Sequence, residues 1–245
     1  MKQRLDVLLV ERGLFESRER AQRAIMAGSV RVAGRRLDKP GTRVPSEENL
    51  EVVAAEKYVG RGGGKMEGAL YAFGIEPRGW TCLDVGASTG GFTDCLLQHG
   101  AGRVFAVDVG HSQLDWKIRS DPRVVVREKV NCRYLTAEEV PEVVDLLVAD
   151  VSFISLTLVL PASLQRVRAG GMAVVLIKPQ FELAREDVGR GGVVRDPVLH
   201  ARAVERIRTW VAEQPTLEWR GCVESPLLGG DGNKEFFAWI VKRSD

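Results

Sequence analysis

The sequence predicts an α/β protein with a Rossmann-like sheet, mostly parallel with one antiparallel strand, preceded by a small N-terminal α+β domain. Short apolar runs alternate with helix-like segments, which predicts the sheet. Several runs end at a charged residue, as at Asp108, Asp150 and Lys178. The small domain is predicted by a strongly basic segment patterned as two short helices and a hairpin.

Composition and charge restrict the class of protein. A chain of 245 residues suffices for one large domain and a small one, and 44% hydrophobic and 28% charged residues are typical of globular proteins. No apolar run approaches the ~18–20 residues that span a bilayer, and the first residues lack the apolar core of a signal peptide. The four cysteines have no metal-ligand spacing, so we expect a reduced, cytoplasmic protein without a metal site.

Charge is distributed unevenly along the chain. Residues 18–43 carry eight arginines and lysines against two acids, although the net charge of the whole chain is only +2. This asymmetry predicts a polyanion-binding N-terminal domain, and a merely solvated basic surface is the alternative. We expect this domain to cover residues 1–56, a glycine-rich linker residues 57–64, and the large domain residues 65–245.

The N-terminal domain is predicted element by element. Leu5, Leu8 and Leu9 share one helical face, and Ser17 is placed to cap a second helix. A hairpin then turns at Ala33-Gly34. Arginines suit the phosphates and shape of structured RNA, and the candidates for RNA contact are Arg4, Arg18, Arg20, Arg23, Arg31, Arg35 and Arg36.

The large domain is organised around a glycine turn between its first strand and the following helix. Gly86 and Gly90 allow the backbone to approach a ligand closely, but Ser88 stands where a dinucleotide fingerprint has its second glycine. This disfavours a pyrophosphate, and with it an NAD oxidoreductase. It favours a cofactor with ribose and adenine but no phosphate, such as S-adenosylmethionine. Asp108 is placed to bind the ribose, and Asn131 is either an adenine-side contact or a turn residue.

Four charged residues are expected to meet at the carboxyl edge of the sheet. Asp150 and Lys178 follow apolar strands, and Glu235 precedes the strand that we expect to be antiparallel. Lys65 lies one helix before the first strand and can reach the same edge. The alternative interpretation is that these four side chains have no functional role and are simply solvated.

This order of lysine, aspartate, lysine and glutamate resembles the catalytic tetrad of ribose 2′-O-methyltransferases of the FtsJ/RrmJ type. Nearly the whole chain is similar to the TlyA family, and residues 4–53 resemble an S4 RNA-binding domain. The motifs that carry this resemblance are Arg61-Gly62-Gly63, Asp84 to Asp94, Ala149 to Leu156, Ile177 to Glu182, Gly191 to Asp196 and Gly232 to Phe236.

The resemblance implies 2′-O-methylation of cytidine in ribosomal RNA, with S-adenosylmethionine as cofactor and ribosomal RNA or ribosomal subunits as partner. The tetrad would be catalytic. The expected cofactor-binding residues are Asp84, Gly86, Ala87, Ser88, Gly90, Gly91, Phe92, Asp108, Asn131 and Asp150. Some members of the family bear the label hemolysin, but no spanning segment or strongly basic amphipathic helix supports a membrane partner.

Methyl transfer to a ribose hydroxyl requires help mainly at the acceptor, which is a weak nucleophile. Our hypothesis is that Lys178 takes or relays the hydroxyl proton while Asp150 and Glu235 orient the lysine and the hydroxyl. Alignment of the reactants supplies much of the rate. The alternatives are an RNA-binding assembly factor that holds the cofactor without reacting, and a membrane-active, hemolysin-like protein.

Overall fold

The computed structural model describes residues 2–53, 57–189 and 191–244, and the chain divides into two compact units, Met1–Lys57 and Tyr58–Asp245. The expected end of the N-terminal domain, residue 56, lies outside the described residues. Each unit has its own hydrophobic core.

The N-terminal unit packs two helices against small antiparallel sheets. Leu5, Leu9 and Ile25 are fully buried in its core, because the apolar residues of each helix fall on one face. The side chain of Ser17 accepts a hydrogen bond from the Arg20 N–H, which confirms the predicted helix cap. The elements are β1 (Lys2–Arg4), α1 (Leu5–Glu11), α2 (Arg18–Met26), β2 (Val30–Val32), β3 (Arg35–Arg36), β4 (Arg43–Pro45) and β5 (Leu50–Val52).

The C-terminal unit is a seven-stranded sheet with helices on both faces. Its strands are β6 (Thr81–Val85), β7 (Arg103–Val107), β8 (Val124–Arg127), β9 (Val144–Ala149), β10 (Val167–Ile177), β11 (Leu217–Glu224) and β12 (Phe236–Lys242). Its helices are α3 (Arg61–Phe73), α4 (Gly91–Gln98), α5 (Trp116–Arg119), α6 (Leu156–Leu164), α7 (Pro179–Glu182) and α8 (Pro197–Ala212).

The strand order is β11-β12-β10-β9-β6-β7-β8. The five strands β6, β7, β8, β9 and β10 run parallel to one another, whereas β12 is antiparallel to both β10 and β11. This confirms the predicted Rossmann-like sheet with one reversed strand. Leu83 in β6 and Leu146 and Leu147 in β9 are fully buried, because helices cover both faces of the central strands.

The chain order of this sheet gathers the candidate site at one edge. Asp108, Asp150 and Lys178 directly follow β7, β9 and β10. Because β12 runs in the opposite direction, its first residues lie at that same edge: Ile177 pairs with Phe236, and Lys178 and Glu235 occupy the next position of this register.

The glycine-rich segment before Lys65 differs from the prediction. Helix α3 begins at Arg61, so Gly62 and Gly63 lie in its first turn and not in a linker. A Cβ at Gly63 would lie 2.2 Å from the Tyr58 ring, and a Cβ on Gly91 of α4 would lie 2.9 Å from the Gly63 nitrogen. The glycines therefore serve close packing of α3 against α4.

Candidate active site

The turn after β6 holds a backbone conformation that brings two strand ends together. Gly86 and Gly90 have φ angles of 84° and 95°, and Ser88 also has a positive φ of 48°. A Cβ on Gly86 would lie 2.5 Å from the carbonyl oxygen of Asp150. Glycine is required there because the ends of β6 and β9 leave no room for a side chain.

Asp108 is fixed against this turn by two backbone amides. The Ser88 N–H donates to Asp108 Oδ2 at 2.8 Å, and the Gly110 N–H donates to Oδ1 at 2.7 Å. Each carboxylate oxygen retains a second lone pair. The carboxylate is thus held in place with capacity to accept hydrogen bonds from a pair of ribose hydroxyls.

Two adjoining clefts open at this edge, one of about 500 Å³ and one of about 260 Å³. Both are lined by Gly86, Ser88, Asp150 and Ser152. The larger cleft adds Val109, Gln113, Cys132, Arg133, Val151, Phe153, Ile154 and Val159 to Asp108 and Asn131. The smaller adds Gly62, Ala87, Thr89, Gly91, Phe92 and Lys178.

Asn131 closes one side of the larger cleft. Its side-chain oxygen accepts a hydrogen bond from the Arg133 N–H at 3.1 Å and caps the short 3-10 turn Cys132–Tyr134. This bond fixes the side chain, so the residue both begins a turn and lines the cleft. The two interpretations that the sequence left open for Asn131 are therefore compatible.

Two residues of the predicted cofactor set, Asp84 and Gly90, line neither cleft. Asp84 is fully buried, and its carboxylate accepts a hydrogen bond from the Thr93 hydroxyl at 2.6 Å. Burial raises the pKa of Asp84 to about 7. A Cβ on Gly90 would lie 2.9 Å from the Leu114 side chain. Both residues therefore support the turn through contacts inside the domain and do not face the clefts.

Lys178 forms an ion pair at the junction of the two clefts. Its Nζ lies 2.6 Å from Asp150 Oδ1 and donates to Ser152 Oγ at 2.9 Å. The Lys178 side chain is only 11% exposed and that of Asp150 is 23% exposed. A weakly hydrated amine and a carboxylate thus meet where a ligand can reach both of them.

Lys65 and Glu235 form a second, more deeply buried ion pair. Lys65 Nζ donates to Glu235 Oε2 at 2.6 Å, and the two side chains are 9% and 3% exposed. Lys178 directly follows Ile177, and Glu235 directly precedes its cross-strand partner Phe236. Gly62, one turn before Lys65, lines the smaller cleft. The structure therefore pairs the four residues that the sequence assigned to one edge two by two, Lys65 with Glu235 and Lys178 with Asp150.

Phe153 was not predicted as a site residue. It is 90% exposed, has a φ angle of 64°, and its ring centroid lies 5.1 Å from that of Phe181. A bulky residue in the left-handed region is strained and is common at functional sites. Its motif, Asp150-Val151-Ser152-Phe153, was visible, but neither the exposure nor the strain can be recognised from sequence.

Glu182 was also missed. It is 1% exposed, and its carboxylate accepts hydrogen bonds from the Ser155 hydroxyl at 2.6 Å and the Leu156 N–H at 2.8 Å. Burial raises its pKa. Glu182 thereby joins α7, which follows Lys178, to the beginning of α6, which follows the Asp150 loop. Its place in the motif Ile177 to Glu182 was the only signal.

In the N-terminal unit, Asp6 organises two of the predicted RNA contacts. Arg4 Nη2 and Arg18 Nε lie 2.9 and 2.8 Å from Asp6 Oδ2, and Gln22 Nε2 donates to the same oxygen at 2.7 Å. These bonds hold the pKa of the buried Asp6 well below its usual range. Arg20 pairs with Glu16.

The remaining predicted contacts lie at the surface of the same unit. Their side chains are exposed on α2 and on the β2–β3 hairpin: Arg23, Arg31, Arg35 and Arg36. No helix among the described residues is both long enough and apolar enough to cross a membrane. Within the same residues, no cluster of three histidines, cysteines or acids is arranged to hold a metal ion.

Comparison with known proteins agrees with this architecture. Residues 58–242 match the FtsJ-like methyltransferase family, and residues 3–50 match the S4 domain. A 16S/23S rRNA (cytidine-2′-O)-methyltransferase, TlyA of Mycobacterium tuberculosis, is 48% identical over 99% of this chain and 91% of its own. YqxC of Bacillus subtilis, named as a candidate rRNA methyltransferase, is 49% identical over 96% of this chain and 84% of its own.

A solved structure from Streptococcus thermophilus, described as a candidate hemolysin, is 43% identical and superposes with a TM-score of 0.74, covering 99% of this chain and 89% of its own. Both domains thus agree with one group of proteins. The chain belongs to the FtsJ-like methyltransferases that carry an N-terminal S4 domain, the TlyA family.

Proposed function

We propose that this protein transfers a methyl group from S-adenosylmethionine to the 2′-hydroxyl of a cytidine in ribosomal RNA. The observation that carries the proposal is the occurrence of two lysine–carboxylate ion pairs at the edge of the sheet where a nucleoside-sized cleft opens. One pair, Lys178 with Asp150, faces the cleft, and the other, Lys65 with Glu235, is buried beside it.

The clefts suit S-adenosylmethionine on two grounds. Gly86 lets the end of β9 approach the turn, so that Asp150 lines both clefts, and Asp108 is held rigidly with hydrogen-bonding capacity for ribose hydroxyls. The adenosine would occupy the larger cleft beside Asn131, and the methionine end the smaller cleft beside Ala87 and Phe92. When bound, the cofactor supplies an electrophilic methyl group on a sulfonium.

The residues of the chain would act mainly on the acceptor hydroxyl. As the bond from O2′ to the methyl carbon forms, the hydroxyl proton must leave, and we assign its acceptance or relay to Lys178 Nζ. Asp150, 2.6 Å from Nζ, would hold the ammonium that results. Ser152 Oγ, 2.9 Å from Nζ, would fix the direction in which the amine points.

The buried pair would keep this arrangement rigid. Lys65 and Glu235 are almost completely buried and anchor α3 and the beginning of β12 to each other. Glu235, next to Lys178 in the register, is the second carboxylate that could orient the ammonium or the 2′-hydroxyl. Fixed charges of this kind contribute to catalysis because they need little reorganisation during the reaction.

Recognition of RNA would use both units. The seven arginines of the N-terminal unit that we predict to contact RNA offer bidentate donors to phosphates. In the C-terminal unit, the exposed ring of Phe153, close to the Lys178 pair along the chain and in the cleft wall, offers a surface for a nucleobase. We propose ribosomal RNA and cytidine as the substrate because the name of the mycobacterial relative in the same family states that activity.

Methyl incorporation, RNA binding and liposome leakage separate this function from the two alternatives. Purified protein is incubated with radiolabelled S-adenosylmethionine and unmodified ribosomal subunits, and 2′-O-methyl groups are mapped on the RNA. We expect one or a few methylated cytidines with the wild type and none with Lys178→Ala. Lys242→Ala is the matched control, because Lys242 bonds to backbone carbonyls at the opposite end of β12.

Stoichiometric RNA binding without methylation would favour the assembly factor. Leakage of liposomes without methylation would favour the hemolysin-like protein. Methylation by Lys178→Ala at the wild-type rate would overturn the role of Lys178 while leaving the activity itself in place.

A further inference from the structure

The loop that precedes β12 is tied to a distant glycine-rich segment by one buried side chain. Asn233 is 1% exposed. Its Oδ1 accepts a hydrogen bond from the Val194 N–H at 2.9 Å, and its Nδ2 donates to the Gly192 carbonyl at 2.9 Å. The amide thus satisfies one donor and one acceptor of a segment about 40 residues away.

The partner segment is held from a second direction. Val194 is 3% exposed, and its carbonyl accepts a hydrogen bond from His200 Nε2 at 2.9 Å. His200 belongs to α8, and its ring centroid lies 5.8 Å from that of Phe236, the first residue of β12. Val194 is therefore a fixed point to which Asn233 attaches the loop.

The same loop shapes the surroundings of Glu235. The Gly229 N–H donates to the Asn233 carbonyl at 2.8 Å, which closes the loop, and a Cβ on Gly229 would lie 2.5 Å from Glu235 Oε1. Glu235 Oε2 is the oxygen that pairs with Lys65. One carboxylate oxygen thus contacts the loop and the other contacts α3, so the position of the loop determines the position of the carboxylate.

We infer that Asn233 is a positioning residue for the proposed methyl transfer: by fastening the 229–235 loop to Gly192 and Val194, it holds Glu235 in place against Lys65. The inference rests on the proposed function. Asn233 lines neither cleft, so its effect on the reaction must pass through Glu235. Glycines 191 and 192, both with positive φ, supply a segment with little conformational preference of its own, which explains why a side-chain clamp is needed.

The first test separates the rate of transfer from binding. For Asn233→Ala, we expect kcat on ribosomal subunits to fall about 100-fold, since a displacement of about 1 Å has such an effect. The affinity for S-adenosylhomocysteine, measured by calorimetry, and the KM for RNA should not change. Gln214→Ala is the matched control: Gln214 also donates from a side-chain amide to a carbonyl, that of Trp210, far from the site.

The second test asks whether the effect passes through Glu235. In a double-mutant cycle, Asn233→Ala should lower the residual rate of Glu235→Gln no further, because the group that it positions is already altered. Hydrogen exchange of the Val194 amide should accelerate in Asn233→Ala and remain slow in the control. This readout does not depend on activity, and melting temperatures confirm that the variants are folded.

Failure of this inference differs from failure of the proposed function. If the wild type shows no methyl transfer at all, the function is wrong. If the wild type is active and Asn233→Ala keeps its kcat, or lowers kcat equally in the presence of Glu235→Gln, the inference is overturned and the function stands.

Discussion

Lys65 Nζ lies 2.6 Å from Glu235 Oε2, although 170 residues separate the two along the chain and both side chains are almost completely buried. Burying two charges costs solvation energy that their attraction repays only when both partners are present. The pair therefore stabilises the contact between α3 and the beginning of β12 only while both charges are present.

Removing one member of this pair should destabilise the protein more than removing both. We expect Lys65→Met or Glu235→Gln alone to lower the free energy of unfolding by about 3–5 kcal/mol, because each leaves an uncompensated buried charge. The double variant should lose much less than the sum. Urea unfolding of all four proteins measures this coupling, and additive losses would show that the two charges are independently solvated.

Asp108 should act on cofactor binding and little on the rate at saturation. Asp108→Ala removes an acceptor for ribose hydroxyls, and such a charged hydrogen bond is worth about 1.5–3 kcal/mol, or roughly 10–100-fold in affinity. We expect the Kd for S-adenosylhomocysteine to rise by that factor. Asp115→Ala, which removes a cap from the short helix α5, is the control, and equal weakening by both variants would contradict the assignment.

The raised pKa of Asp84 predicts that stability depends on pH. The folded protein holds a proton on Asp84 up to about pH 7, whereas the unfolded chain releases it near pH 4. The stability that this proton confers is present at acidic pH and is lost as the pH rises through this window. The free energy of unfolding of the wild type should therefore fall relative to that of Asp84→Asn between about pH 4 and pH 7. A constant difference across this range would mean that Asp84 titrates normally.

The lowered pKa of Asp6 predicts the opposite dependence of stability on pH. Its pKa is lower in the folded protein, so the stability conferred by the bonds from Arg4 and Arg18 is present above the ordinary aspartate pKa of about 3.9 and is lost as the pH falls below it. Asp6→Asn should remove this acid sensitivity. It should also weaken binding to ribosomal RNA severalfold at low salt, since two arginines lose their common anchor. Unchanged RNA affinity would separate Asp6 from recognition.

Phe153 should contribute to activity and not to stability. Its positive φ costs of order 1–3 kcal/mol, so Phe153→Gly should not lower the free energy of unfolding. The loss of a stacking surface, worth about 1–3 kcal/mol per base, should lower kcat/KM for RNA roughly 10–100-fold. Phe153→Tyr keeps the ring and serves as the control, and a variant Phe153→Gly with normal kcat/KM would remove Phe153 from substrate binding.

The sequence by itself determined the alternation of strands and helices, the glycine turn after β6, the hairpin at Ala33-Gly34 and the charged residues at the strand ends. These features depend on local preferences: glycine tolerates positive φ, and apolar runs of strand length predict burial. The reversed direction of β12, which places Glu235 at the same edge as Lys178, followed from the order of elements typical of this kind of sheet.

Only the tertiary structure decided which charged groups became partners. It paired Lys65 with Glu235 and Lys178 with Asp150, buried Asp84 beneath the turn, strained Phe153, and tied Asn233 to Val194. Such contacts depend on strand register and on how closely helices approach, as at Gly63 and Gly91. The energy of a buried charge or amide is set by the atoms around it, and those atoms come from parts of the chain far away in sequence.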